Sequence, residues 1–123
     1  MEAPDYLNIG NLKVTVFQAY LFWENTEKNL RNLSLRLNIG VKEKTDLIVL
    51  PEMFNTGFSM NAMSLAESID GQTMSWLKDT AHRYDCVVTG SLIIYEDNNF
   101  YNRMIWMLPD GSFEKYDKHH LFG

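Results

Sequence analysis

The centre of the sequence is the octapeptide Leu47-Ile48-Val49-Leu50-Pro51-Glu52-Met53-Phe54. Its first four residues are apolar and do not alternate with polar ones, which predicts a strand buried on both faces, as in a parallel sheet. Pro51 cannot donate a sheet hydrogen bond and biases Leu50 toward extended geometry, so the strand should end there. Glu52 would then lie at the carboxyl edge of the sheet, where open α/β sheets bind ligands. The competing interpretation is that Glu52 is an ordinary solvated loop acid or a charge at the start of a helix.

Composition narrows the class of protein. The chain has 123 residues, of which 46% are hydrophobic, enough apolar material for the core of one domain. A net charge of −5 without clusters of Lys or Arg argues against nucleic acid and anionic membranes as partners. We see no signal peptide and no apolar run of membrane-spanning length, and therefore expect a soluble, cytoplasmic protein. The single cysteine, Cys86, excludes an internal disulfide framework and fits a reducing compartment.

The segments before the octapeptide predict a strand-helix-strand unit. Residues 12–18 alternate polar and apolar side chains, which predicts a first strand. Asn25 or Thr26 can cap a following helix, and leucines recur along one of its faces. These leucines are Leu30, Leu33 and Leu37. A helical crossover of this length joins parallel neighbours, so we expect residues 12–18 to pair in parallel with the strand at residues 47–50.

The segments after the octapeptide predict a second helix and three more strands. Residues 53–63 predict a loop with apolar content, either the wall of a substrate pocket or ordinary core. A helix that begins near residues 70–73 should pack beside the first helix. A strand at residues 86–94 follows, then a turn and an antiparallel strand at residues 101–108. Pro109-Asp110-Gly111 predicts a turn that returns the chain as a further strand through Tyr116.

Two separated segments resemble nitrilase-superfamily carbon-nitrogen hydrolases, and within them the omega-amidase-like branch. The first is Asp46-Leu47-Ile48-Val49-Leu50-Pro51-Glu52-Met53-Phe54-Asn55-Thr56-Gly57-Phe58. The second begins at Tyr101-Asn102, passes through Pro109-Asp110-Gly111 and ends at Tyr116-Asp117-Lys118-His119-His120-Leu121-Phe122. The two motifs in this order are more specific than either alone, and the similarity covers residues 12–122. The resemblance implies an α/β fold, the N-terminal half of a nitrilase-type αββα sandwich, with a mixed sheet and helices on one face.

The same resemblance implies a catalytic pair. Glu52 matches the family's general base, and Lys118 matches the cation that stabilises the tetrahedral intermediate. In relatives the nucleophile stands in a motif of the type Cys-Tyr-Asp-Leu-Arg, farther along than these residues reach. We therefore expect residues 1–123 to be a partial domain that lacks the C-terminal half with this Cys and is inactive alone. Candidate substrate-binding residues implied by the match are Phe54, Thr56, Gly57, Phe58 and His120.

Two other chemistries are disfavoured by the residues themselves. Cys86 opens a strand at its amino side, whereas Glu52 leaves its strand at the carboxyl side, so a buried and inert thiol is expected. His82, His119 and His120 lack the ligand spacing of a tetrahedral metal site. We expect neither a metal nor a cofactor.

Two functions from different classes stay open. The first is hydrolysis of the amide bond of small ω-amide carboxylic acids, with the C-terminal half supplied outside these residues or on another chain. The second is a non-catalytic remnant or assembly subunit that retains the scaffold. A nucleotide-binding domain is disfavoured because no Gly-rich loop follows the first strand. Half a sandwich would expose apolar surface, so we expect the isolated chain to be poorly soluble, partly molten or associated, as a homo-oligomer or with a C-terminal half.

Overall fold

The structure is a computed structural model that describes residues 11–118. Strands and helices alternate in its first half, and three consecutive strands form its second half. The elements are β1 Val14–Val16, α1 Thr26–Gly40, β2 Leu47–Val49, α2 Ala62–Leu65, α3 Gln72–Tyr84, β3 Val87–Glu96, β4 Asn99–Met107 and β5 Phe113–Asp117. None of the helices within the described residues is long and apolar enough to cross a membrane.

The strands form one five-stranded mixed sheet in the order β1-β2-β3-β4-β5. The β1–β2 and β2–β3 pairs are parallel, because α1 and α3 carry the chain back between them. The β3–β4 and β4–β5 pairs are antiparallel hairpins. Asp97 and Asn98 adopt positive φ angles of 51° and 64°, the geometry that two-residue hairpin turns require. The predicted α/β architecture with a mixed sheet is confirmed.

The helix ends show how each helix is fixed. The Asn25 side chain accepts a hydrogen bond of 3.1 Å from the Lys28 amide, so Asn25 is the N-cap of α1. The N-cap of α3 is Gly71, which has no side chain to offer. Glu67 supplies the missing acceptor from outside the helix, through a bond of 2.8 Å from the Thr73 amide.

The hydrophobic core lies between the two long helices and one face of the sheet. The buried stripe of α1 is the predicted one, and α3 contributes Met74, Leu77 and Ala81. The helices touch as expected, since the Trp76 indole donates a 2.7 Å hydrogen bond to the Ser34 hydroxyl. On the other face of the sheet, large apolar side chains are exposed. They are Val14, Val16, Met104, Trp106 and Tyr116.

The segment after β2 is the predicted loop over most of its length. Residues 52–56 form turns and residues 57–61 are irregular, and the short helix α2 begins only at Ala62. Phe54 packs fully buried beneath α3, with its ring centroid 5.7 Å from that of Trp76. The aromatic and methionine content of this segment is therefore used partly for packing, which sequence periodicity could not distinguish from a pocket wall.

Gly90 is the residue of β3 that allows this packing. A Cβ atom at position 90 would lie 2.7 Å from Cδ1 of Phe54 and 3.1 Å from Cβ of Leu50. Both neighbours are buried, so neither can move away freely. A glycine here lets the chain that follows β2 fold down onto β3.

We expect Gly90→Ala to lower the free energy of unfolding by roughly 1–3 kcal/mol, because the added methyl overpacks a closed contact. Urea titration of the chain at fixed protein concentration measures this. The matched control is Gly40→Ala at the end of α1, where a Cβ meets nothing within 4 Å. It should be neutral or stabilise the chain by up to about 1 kcal/mol. Equal midpoints for the two variants would contradict the close contact at position 90.

Candidate active site

Glu52 lies at the carboxyl end of β2, in a turn held against β3. The Met53 amide donates a 2.9 Å hydrogen bond to the Ser91 hydroxyl, and the Phe54 amide donates one of 3.3 Å to the Ser91 carbonyl. Met53 itself adopts a left-handed backbone conformation with a φ of 50°. Such a conformation costs free energy in a residue other than glycine and is maintained by its surroundings. The direction in which Glu52 leaves the sheet is thus set by β3.

Lys118 reaches the same place from β5, the edge strand of the sheet. It follows β5 directly, and its amide donates a 3.1 Å hydrogen bond to the Asn102 carbonyl. Its ammonium group donates to the carboxylate of Glu52, although the two residues are 66 positions apart in sequence. The side chains are 50% and 43% exposed, so the ion pair adds little to stability. The structure brings together the two residues that the resemblance implied as a catalytic pair.

A cavity of about 200 Å³ lies beside this pair. It is lined by apolar groups with a few polar ones, the usual character of a small-molecule site. Besides Glu52 and Lys118, the lining residues are Val49, Leu50, Thr89, Gly90, Ser91, Met104 and Tyr116. Four neighbouring strands contribute to it, from the sheet face that the long helices leave uncovered.

Sequence reasoning missed Met104 and Tyr116 as lining residues. They pair across β4 and β5 on the same face of the sheet. Successive side chains alternate between faces of a strand, so Tyr116 and Lys118 point to the same side. That alternation was the available signal, but it required knowing which face of β5 bears the site.

Four of the five predicted substrate-binding residues lie elsewhere in the described part of the chain. Phe54 is in the core, and Thr56 is fully buried with its hydroxyl donating to the Gly57 carbonyl at 2.8 Å. Gly57 has a φ of 78°, while Phe58 is 71% exposed. None of these four residues lines the cavity beside Glu52, because the chain turns away after Met53. The fifth, His120, lies outside the described residues.

Cys86 lies at the opposite end of the sheet from Glu52, as predicted. It precedes Val87, which pairs with Leu47 at the first residue of β2, whereas Glu52 follows the last. Its side chain is buried, and burial raises the pKa of the thiol. The Lys44 charge opposes this rise, while Asp85 and Asp46 add to it. Elsewhere within residues 11–118, no three His, Cys, Asp or Glu side chains gather as metal ligands would.

Comparison with known proteins finds relatives over nearly the whole chain. The family model described as carbon-nitrogen hydrolase matches residues 13–123. Omega-amidase YafV of Yersinia enterocolitica is 37% identical over 114 residues, covering 93% of this chain and 43% of the relative. Omega-amidase YafV of Escherichia coli K12 is 34% identical over 111 residues, covering 90% of this chain and 42% of the relative. The chain thus spans less than half the length of these curated relatives.

A solved structure shows the same relation in three dimensions. The crystal structure of XC1258 from Xanthomonas campestris, a CN-hydrolase superfamily protein, superposes with a TM-score of 0.83 at 34% sequence identity. The match covers 90% of this chain and 42% of that one. The five-stranded sheet and its helices therefore correspond to part of a larger fold of this kind.

We expect Ser91→Ala to lower the free energy of unfolding by about 1–3 kcal/mol, because it leaves the buried Met53 amide without its acceptor. Thermal or urea unfolding followed by circular dichroism measures the loss. Ser64→Ala, at an exposed position in α2, is the control and should stay within about 0.5 kcal/mol of the parent. A Ser91→Ala variant as stable as the control would show that the hydroxyl does not hold the Glu52 turn.

The thiol of Cys86 should react slowly in the folded chain. Because its pKa is raised there, we expect a disulfide reagent at pH 7.5 to react with the folded chain at least about tenfold more slowly than with the chain unfolded in urea at the same pH. A raised pKa also means that stability is retained below the unfolded pKa of a thiol and is lost as the pH rises through the folded one. Equal reaction rates in folded and unfolded protein would contradict this.

Proposed function

This chain belongs to the carbon-nitrogen hydrolase family, and on that premise we propose that Glu52 and Lys118 are the acid–base and cationic groups of an amide-hydrolysing site. The observation that carries the proposal is their direct contact beside a cavity, across 66 positions of sequence. Half-exposed ion pairs contribute little to folding, so stability gives no reason for this convergence. Amide hydrolysis does give one.

Each group has a role that its position allows. A carboxylate can take the proton of a nucleophile and return it to the departing amine. An ammonium group can stabilise the negative charge that develops on the carbonyl oxygen of the tetrahedral intermediate. Because the two groups touch, a substrate carbonyl bound beside them would lie within reach of both.

The nucleophile is the third requirement. Cys86, the only cysteine of residues 1–123, is buried at the wrong end of the sheet to attack a substrate held by Glu52. We infer that the attacking thiol belongs to a C-terminal half, on the same polypeptide or on another. The position of Cys86 equally favours the second candidate, a non-catalytic subunit that keeps the scaffold, and the experiment below separates the two.

The substrate we propose is the amide of a small ω-amide carboxylic acid. Two relatives that match over about nine-tenths of this chain are omega-amidases. The cavity of about 200 Å³ is smaller than the ~300–1,000 Å³ typical of drug-sized ligands, which suits a compact molecule. A C-terminal half could add further walls.

The uncovered face of the sheet supports an association. Its exposed side chains include Trp106, at 41%, and Val16, at 64%, in a region continuous with the cavity lining through Met104 and Tyr116. Exposed apolar surface of this kind favours burial against a partner. We propose that the C-terminal half, or a second copy of the chain in its absence, covers this face.

The test is reconstitution. The chain is co-expressed with the part of E. coli omega-amidase that it does not match, and ammonia release from glutaramate is measured. Glu52→Gln and Lys118→Met should each lower kcat/KM by at least about 10²-fold, because each removes a group needed in the transition state. Lys115→Met is the matched control, since Lys115 lies on β5 but points to the other face and pairs with Glu96.

The matching N-terminal part of the E. coli enzyme, combined with the same C-terminal part, serves as the positive control. If that pair releases ammonia and the pair containing this chain is folded but inactive, the hydrolase proposal fails and the non-catalytic subunit is favoured. If ammonia release survives both Glu52→Gln and Lys118→Met, the assignment of the pair is wrong.

A further inference from the structure

Arg103 is the most unusual residue of the sheet outside the proposed site. It stands in β4 opposite Leu92, on the face covered by the helices, and its side chain is only 1% exposed. Arginine is rarely buried unless it is paired, and a buried ion pair is often replaceable by an apolar residue without loss of stability. A charged group at this core position therefore calls for a reason other than stability.

The contacts of Arg103 fix both edges of its guanidinium group. Nε donates to Oδ1 of Asp117 at 2.6 Å, and Nη2 donates to Oδ2 of the same carboxylate at 3.0 Å. Nη1 donates to Oε1 of Glu96 at 2.9 Å, and the group lies 5.2 Å from the centroid of the Tyr101 ring. A bidentate arginine–carboxylate pair is stronger and more directional than a single charged hydrogen bond. The Asp117 carboxylate is therefore held in one orientation.

This pairing acts on the backbone that carries Lys118. Asp117 is the last residue of β5 and is paired in register with Arg103. The next amide, that of Lys118, donates to the Asn102 carbonyl at 3.1 Å. Because side chains alternate along a strand, Asp117 points toward the helices and Lys118 leaves on the opposite face, beside the cavity.

We propose that Arg103 is the positioning residue for Lys118, which it holds against Glu52 by clamping Asp117 from the helix-covered face of the sheet. The inference rests on the proposed function of Lys118 for its catalytic meaning, but its geometry stands on β4 and β5 alone. Arg103 is not among the residues that line the cavity and pairs with Asp117 and Glu96, so it is not itself a catalytic residue. A lysine side chain is flexible, and without a fixed strand end its ammonium would sample many positions.

The experiment measures where Lys118 is, without turnover. Limited acetylation of the chain, read by mass spectrometry, gives the labelling rate of Lys118 relative to Lys78, an exposed lysine on α3. Arg103→Lys retains the charge but loses the two-pronged geometry. We expect it to raise the Lys118/Lys78 labelling ratio roughly threefold or more. A change of this size corresponds to the interaction free energies found between residues that share one hydrogen-bond network. The same change in a Glu52→Gln background should add little, because the contact is already lost.

Glu96→Gln is the matched control. It weakens the ion pair between Arg103 and Glu96 and leaves the pair between Arg103 and Asp117 in place. The Lys118/Lys78 labelling ratio should therefore remain that of the parent. If Arg103→Lys lowers the unfolding midpoint yet leaves the ratio unchanged, Arg103 is a structural residue only and the inference is overturned. If that variant does not fold, Asp117→Asn is used instead, because it removes the carboxylate charge that pairs with Arg103. An unchanged ratio in folded Asp117→Asn would overturn the inference equally.

Reconstituted ammonia release separates this inference from the proposed function. With both correct, Arg103→Lys lowers kcat more than it raises KM, since it misplaces a group that acts in the transition state. If the labelling ratio rises but Lys118→Met leaves ammonia release intact, the proposed function fails and the positioning role stands. If Lys118→Met abolishes release while Arg103→Lys changes neither labelling nor kcat, only the positioning role fails.

Discussion

The parallel pairing of β2 with β1 on one side and β3 on the other is the constraint on which the site depends. β2 has only three residues, yet its register fixes where Pro51 stops the strand and where Glu52 emerges. Antiparallel β4 and β5 then build outward from β3 and return the chain to the same edge. A shift of one residue in the β3–β4 or the β4–β5 pairing would turn Lys118 to the wrong face of the sheet.

The two faces of the sheet have different physical roles. The face covered by the long helices holds the larger hydrophobic core, and it also contains Arg103, whose charge is balanced there by Asp117 and Glu96. The other face carries the cavity and the exposed apolar side chains. The backbone of β5 connects the two, because consecutive residues of a strand point to opposite sides.

Energetics explain why the Glu52–Lys118 contact needs such support. An ion pair that is about half exposed is worth roughly 0–1 kcal/mol, too little to order two flexible side chains by itself. Its geometry has to be imposed by the scaffold. Ser91 anchors the turn that carries Glu52, and the Arg103–Asp117 pair anchors the strand end that carries Lys118.

The sequence by itself determined the features that follow from local periodicity and turn chemistry. These are the strand that ends before Pro51, the leucine face of α1, the hairpins, and the separation of Cys86 from Glu52. The prediction that this strand is buried on both faces was wrong, because Leu47 and Val49, on the uncovered face, are only partly buried. It did not choose between Asn25 and Thr26 as the cap. Nor did it distinguish core from pocket after Glu52, because both environments use the same apolar residues.

The tertiary structure alone decided three further features. They are the packing of Phe54 under α3, the cavity lining formed by Tyr116 and its neighbours, and the pairing of Arg103 with Asp117. Each depends on contacts between segments that are separate in sequence, and no local pattern records which residues will meet there.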